Sequence, residues 1–187
     1  MQENTTLNYI KNVLENMPID WLNLTTHRLD IYNESLAKTQ FLDKFESLFN
    51  KKSSDLASLK QLPTAYDYIR LGHPLSCILE WTIAKYYQLK FENVISFDSK
   101  IIPVLAILRT NLLDDKNTQI IYTDDLPTCF NSEVLKNIYG YQFELKKVES
   151  SDEIPEFDGS TIFISQQEAV SSFDLKLNID FYIKLNA

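Results

Sequence analysis

Glycine is scarce in this chain: Gly72, Gly140 and Gly159 are the only three among 187 residues. Backbone cradles for phosphate need glycine where the main chain approaches its ligand, so the shortage excludes a dinucleotide fingerprint and a P-loop. The G-x-S-x-G elbow of serine hydrolases is absent too. Cysteine is confined to Cys77 and Cys129, which supports neither a disulfide framework nor a zinc pattern, and both are expected to be reduced packing residues. His27 and His73 lie far apart with no HExxH or Cys-x-x-Cys companion, so no metal ligand is assigned. Basic residues are also under-represented, 18 Lys and Arg against 26 Asp and Glu, for a net charge of -8. Nucleic acid and anionic membrane surfaces need a clustered basic face, so neither is an expected partner. Apolar runs stay well short of the ~18 residues of a membrane span, and MQENTTLNYI lacks the basic and apolar regions of a signal peptide. The expectation is a soluble, cytoplasmic protein.

What is present is a core-forming composition, 44% apolar, arranged in two rhythms. Leu7, Ile10, Val13, Leu14 and Met17 follow helical spacing until Pro18 stops the pattern. Phe41, Leu42, Phe45, Leu48 and Phe49 mark a second helix with an aromatic packing face. Lys51 to Leu59 reads as a connector, so residues 1–60 form a helical N-terminal arm and 61–187 an α/β domain. In that domain Leu75 to Leu89 predicts a buried helix and Asn93 to Asp98 a short strand. Ile101 to Leu113 is a helix capped by Ser99 or Asp98, with Pro103 in its first turn. Gln119 to Thr123 is a strand, and Ser132 to Tyr139 a helix ended by Gly140 in the left-handed conformation. Tyr141 to Val148 reads as a half-buried or edge strand, and Thr161 to Ser165 as an apolar one. This alternation predicts an α/β fold with a mainly parallel sheet flanked by helices. Phe173 to Leu185 alternates as a long amphipathic strand that covers a sheet edge or pairs with a second subunit, with Lys176 and Lys184 as solvated charges.

The segment YDYIRLGHPLSCILE, Tyr66 to Glu80, places Tyr68 and Arg70 just ahead of an apolar helix that begins at Pro74. A guanidinium beside a phenol makes an anion clamp. The spacing resembles the Tyr-x-Arg-x-Gly-Asn-Pro-Thr signature of the cystathionine synthase and lyase family of pyridoxal-phosphate-dependent enzymes. Leu79 and Glu80 match the Leu-Glu that follows it, and two later landmarks arrive in order. ISFDSKIIPVLAIL lies where the family has its Phe-Ser-Ser-Gly-Met-Ala-Ala turn, and IIYTDDLPTCF where it has a strand ending in Asp-x-Tyr-Gly-Gly. The resemblance covers roughly Pro63 to Ser165 and implies part of the family's large domain. It further implies pyridoxal phosphate as cofactor, with Tyr68, Arg70 and Lys100 toward its phosphate, and a homo-oligomer, because the matching tyrosine and arginine act across subunits.

The departures bear on chemistry. Lys100 and Ile101 replace the glycine-methionine step, Pro127 replaces the stacking tyrosine, and His73 and Leu75 replace the asparagine and threonine of the first motif. Asp98 brings negative charge to the phosphate-binding turn. His73 is expected to start a helix rather than act as a base. The family's Schiff-base lysine lies beyond the matched region, and no lysine here sits in its context. These residues together predict a degenerate, non-catalytic relative, a pseudoenzyme acting by binding or assembly, with a vestigial site for a small anionic ligand and no catalytic residue. Two alternatives are an active pyridoxal-phosphate enzyme, as a fragment or split subunit, and a magnesium-dependent phosphoryl-transfer enzyme using Asp98, Asp124 and Asp125.

Overall fold

The computed structural model describes residues 2–23, 37–63, 73–167 and 175–186, and the chain divides into two compact units, Met1–Ser96 and Phe97–Ala187. Tyr68 and Arg70 lie outside the described residues. Among those residues no helix is long and apolar enough to cross a membrane.

The first unit is helical. Its helices are α1 (Gln2–Asn16), α2 (Ala37–Asn50), the short α3 (Leu56–Lys60) and α4 (Pro74–Tyr87). α1 turns Thr6, Tyr9 and Val13 inward and leaves Leu7 and Leu14 about half exposed. The buried stripe is therefore rotated from the one that leucine spacing predicts. Tyr9 explains the rotation, because its ring packs against Phe45 and Phe49 while its hydroxyl donates to the Ser53 carbonyl. α2 presents Phe41, Leu42 and Phe45 to the core as expected. The expected connector contains α3, whose cap is Asp55: its carboxylate accepts from Ser58 N at 3.0 Å, and bonds from Ser58 and Ser53 hold it down at about 2. α4 starts where Pro74 predicts, with His73 Nδ1 accepting from Leu75 N at 3.2 Å. It packs Cys77, Ile78 and Trp81 against α1 and α2, so the contacts divide after Ser96 whereas the connector puts the sequence boundary at 60. Burial, and next the Glu80 charge, push the Cys77 thiol up to about 12, which suits the packing role expected of it. Cys129 differs from that expectation, being exposed in a surface loop.

A buried carboxylate decides the fate of the next segment. Glu80, 6% exposed, accepts from Lys38 Nζ at 2.6 Å, Ser96 N at 2.6 Å and Ser96 Oγ at 2.9 Å. Lys38 also donates to the Val94 carbonyl at 2.8 Å. Phe91–Asn93 is a 3-10 turn and no strand forms between Val94 and Asp98, contrary to the sequence expectation. Side chains of α2 and α4 take the backbone groups that a neighbouring strand would have used.

The second unit carries a four-stranded, all-parallel sheet: β1 (Thr118–Tyr122), β2 (Glu144–Lys147), β3 (Ser160–Gln167) and β4 (Phe181–Asn186), in the order β2-β1-β3-β4. Ile120, Ile162, Ile164 and Ile183 form one face, covered by Val104 and Leu108 of α5 (Ile102–Leu113) and Leu135 of α6 (Ser132–Asn137). Ile121 and Phe163 form the other, covered by Val148, Ile154 and Ile179. The α/β class, the parallel sheet flanked by helices and the edge position of β2 match the sequence expectations. Ser99 Oγ accepts from Ile101 N and Ile102 N ahead of α5, and Gly140 takes a φ of 75° after α6. The tail differs: of its described residues, 175–186, only Phe181–Asn186 is strand, at the edge beside β3, and Phe173 lies outside the described residues. Residues 175–180 form a turn in which Lys176 N donates to the Tyr182 hydroxyl and Asn178 Nδ2 to the Ile154 carbonyl.

Two substitutions test this packing. Glu80→Ala leaves the Lys38 ammonium without its partner and Ser96 N unbonded, and is expected to lower the unfolding free energy by about 3 kcal/mol in urea titration. Gly159 has a φ of 158° and a Cβ placed there would sit 2.5 Å from the Asn117 carbonyl oxygen. Gly159→Ala should cost about 2 kcal/mol, because the blocking atom is backbone that also accepts from Ser160 N.

Candidate functional site

The strand order fixes where a ligand would meet this sheet. The chain leaves β1 toward β2 on one side, then crosses back to β3 on the other side and continues outward to β4. β1 and β3 are neighbours whose outgoing connections part in opposite directions, and ligands of open α/β sheets bind at the carboxyl ends of such a pair.

At that place the ladder ends in side chains. Thr123 N donates to the Ile164 carbonyl at 3.3 Å, the last backbone rung between the two strands. Gln166 N, which comes next, donates to Asp124 Oδ2 at 2.9 Å, and the Thr123 hydroxyl donates to the same oxygen at 2.9 Å. Gln166 Nε2 reaches the Asp125 carbonyl at 2.9 Å. The Gln166 N–H, then the Thr123 hydroxyl, hold the Asp124 carboxyl below the usual aspartate range.

Lys184 joins this group from β4. Its register partner is Ser165, and its Nζ donates to Ser165 Oγ at 2.7 Å while lying 5.8 Å from the Phe163 ring centre. Burial lowers its pKa, and the nearby Asp124 charge works the other way. Lys184 is therefore half-buried rather than the solvated charge expected from tail alternation. Lys176 is also drawn in, paired with Asp152. Lys147, at the end of β2, donates to Asp125 Oδ1 at 3.1 Å across an exposed pair.

Of the residues singled out from sequence, Lys100 is exposed in the turn before α5, and Asp98 is exposed two residues earlier. Asp124 and Asp125 adjoin but face different partners, Gln166 with Thr123 and Lys147 respectively. Among the described residues no group of three His, Cys, Asp or Glu side chains is placed to hold a metal ion, so Asp98, Asp124 and Asp125 do not make a magnesium site there. His73 caps α4, as expected of a helix-start residue. Thr123, Ser165, Gln166 and Lys184 escaped sequence reasoning. Their grouping needs the strand order, although the polar run Ser165-Gln166-Gln167 closing an apolar strand marks the carboxyl edge of β3.

Protonation of Asp124 weakens the acceptor of the Gln166 amide by removing its charge. With its folded pKa lowered, the carboxylate contributes fully above the ordinary aspartate range, and the contribution is lost as pH falls through the lowered folded value. The Gln166 amide resonance should shift with a midpoint below that of an unstructured aspartate, and the shift should vanish in Asp124→Asn.

No family model, curated protein or solved structure matches this chain, and the site rests on its own geometry.

Proposed function

We propose that this protein is a non-catalytic relative of the cystathionine synthase and lyase family that acts by binding a small anionic ligand, with pyridoxal phosphate the first candidate. The observation that carries the binding role is the meeting of the Thr123 and Gln166 donors at the carboxyl ends of β1 and β3, where the outgoing connections diverge, with Lys184 beside them on β4. The kinship draws on the ordered landmarks. The His73-Pro74 motif starts α4, the Ser99 to Ile102 turn starts α5, and the Ile120 to Pro127 segment follows β1 to its carboxyl end. Tyr68, Arg70 and Lys100 carry the cofactor-phosphate part of the resemblance, and a homo-oligomer is the form in which the first two would act.

One observation favours the active-enzyme reading as an alternative. Lys184 is a half-buried amine with a lowered pKa on this edge, which is what imine formation with an aldehyde asks of a lysine. Titration with pyridoxal phosphate, followed by absorbance and by amide shifts, separates the readings. The expected result is saturable binding that inorganic phosphate displaces, with shifts at Thr123 and Gln166 and no imine band. A saturable imine band abolished by Lys184→Met would replace the non-catalytic reading with the active one, and absence of any shift at the edge would remove the binding role.

A further inference from the structure

We propose that the Asp124 carboxylate is a built-in occupant of an anion site between β1 and β3, holding the place that a ligand's phosphate or carboxylate group takes when it binds. The inference rests on the carboxyl edge being the ligand site. In a parallel ladder the rung after Thr123 N to Ile164 O should run from Gln166 N to a β1 backbone carbonyl. Here it runs to a side-chain carboxylate at 2.9 Å, because the main chain after Tyr122 has already turned away. The same oxygen collects the Thr123 hydroxyl at 2.9 Å, and the Lys184 ammonium adds favourable charge. A backbone amide and a hydroxyl on one oxyanion, with the Lys184 charge beyond them on β4, form an anion site filled from within the chain.

The occupant can leave. Asp124 is exposed, so rotating its carboxylate into water breaks no apolar packing. The donors stay where they are after it leaves: Gln166 is fixed by its Nε2 bond to the Asp125 carbonyl, and Lys184 by Ser165 Oγ. An incoming anion therefore competes with Asp124 for donors already positioned, and its apparent affinity is reduced by the fraction of time the carboxylate occupies them. Lys147 holds the neighbouring Asp125, whose carboxylate takes no part in the exchange.

Inorganic phosphate titrated into the full chain, with amide shifts followed by NMR, tests this in the unmodified protein, Asp124→Ala and Asp125→Ala. Asp124→Ala is expected to bind about tenfold more tightly than the unmodified protein, with Thr123 and Gln166 amides moving, since one charge-assisted competitor is removed. Asp125→Ala removes the same charge but leaves the occupant, and should stay close to the unmodified protein. Equal tightening in both variants would overturn the proposal in favour of general charge. Binding at the Gln166 amide with no gain in Asp124→Ala would overturn it while keeping the edge as the ligand site. No edge shift in any of the three proteins would overturn both. If Asp124→Ala loses its native circular dichroism, Asp124→Asn replaces it, because a neutral amide holds the Gln166 N–H less strongly. Unchanged affinity in a folded Asp124→Asn would then overturn the proposal.

Discussion

The pairing of β3 on both of its edges is the constraint from which the α/β unit follows. Residues 160–165 are buried throughout, so each backbone N–H and C=O there must find a partner inside the protein. β1 supplies one side and β4 the other, and at each end an aspartate completes the ladder. Asp180 Oδ2 accepts from Thr161 N at 2.8 Å at the beginning, and Asp124 Oδ2 accepts from Gln166 N at the finish. Near the amino ends Gln119 Nε2 donates to Thr161 Oγ1 and Asn111 Nδ2 to Thr118 Oγ1, while the buried Ser160 hydroxyl has no partner among the described residues. The carboxyl end differs because its ladder terminates in groups that water, or a ligand, can reach.

The helical unit obeys the same accounting with different means. The buried Glu80 carboxylate is offset by the half-buried Lys38 and by two bonds from Ser96, and Lys38 is tied in turn to the Val94 carbonyl. Glu46 does the equivalent near the aromatic core, accepting from Trp81 Nε1 and Lys85 Nζ while Lys85 lies over the Phe49 and Trp81 rings. Both carboxylates sit on helices in sequence, where nothing distinguishes them from solvated charges.

Elements whose signals are local were legible. α4 and α5 are apolar almost all round with a proline in the first turn; α6 is followed three residues on by Gly140 with positive φ; β1 and β3 are short apolar runs. Elements whose backbone partners come from far along the chain were not. Asn93 to Asp98 has strand-like residues, but Lys38 and Glu80 reach it first. The tail alternates, yet among its described residues from 175 on it is strand only from Phe181, where β3 stands beside it. The candidate site shows the same division: Asp124 and Asp125 were legible as polar residues ending a strand, whereas Ser165, Gln166 and Lys184 joined them only through β3 and β4.

The sequence by itself determined the α/β class, the parallel sheet flanked by helices, the placement of α4, α5, β1 and β3 and the place of His73 at a helix start. Hydrophobic period, proline and capping chemistry act within a few residues, and their physics is complete in the local sequence. Tertiary structure decided the rest: that β1 and β3 are neighbours, that Asp124 finishes their ladder, that Lys184 is half-buried and that Glu80 replaces a strand. Each of these depends on which distant backbone group is left needing a partner once the core has closed, and that is settled by packing rather than by any local pattern.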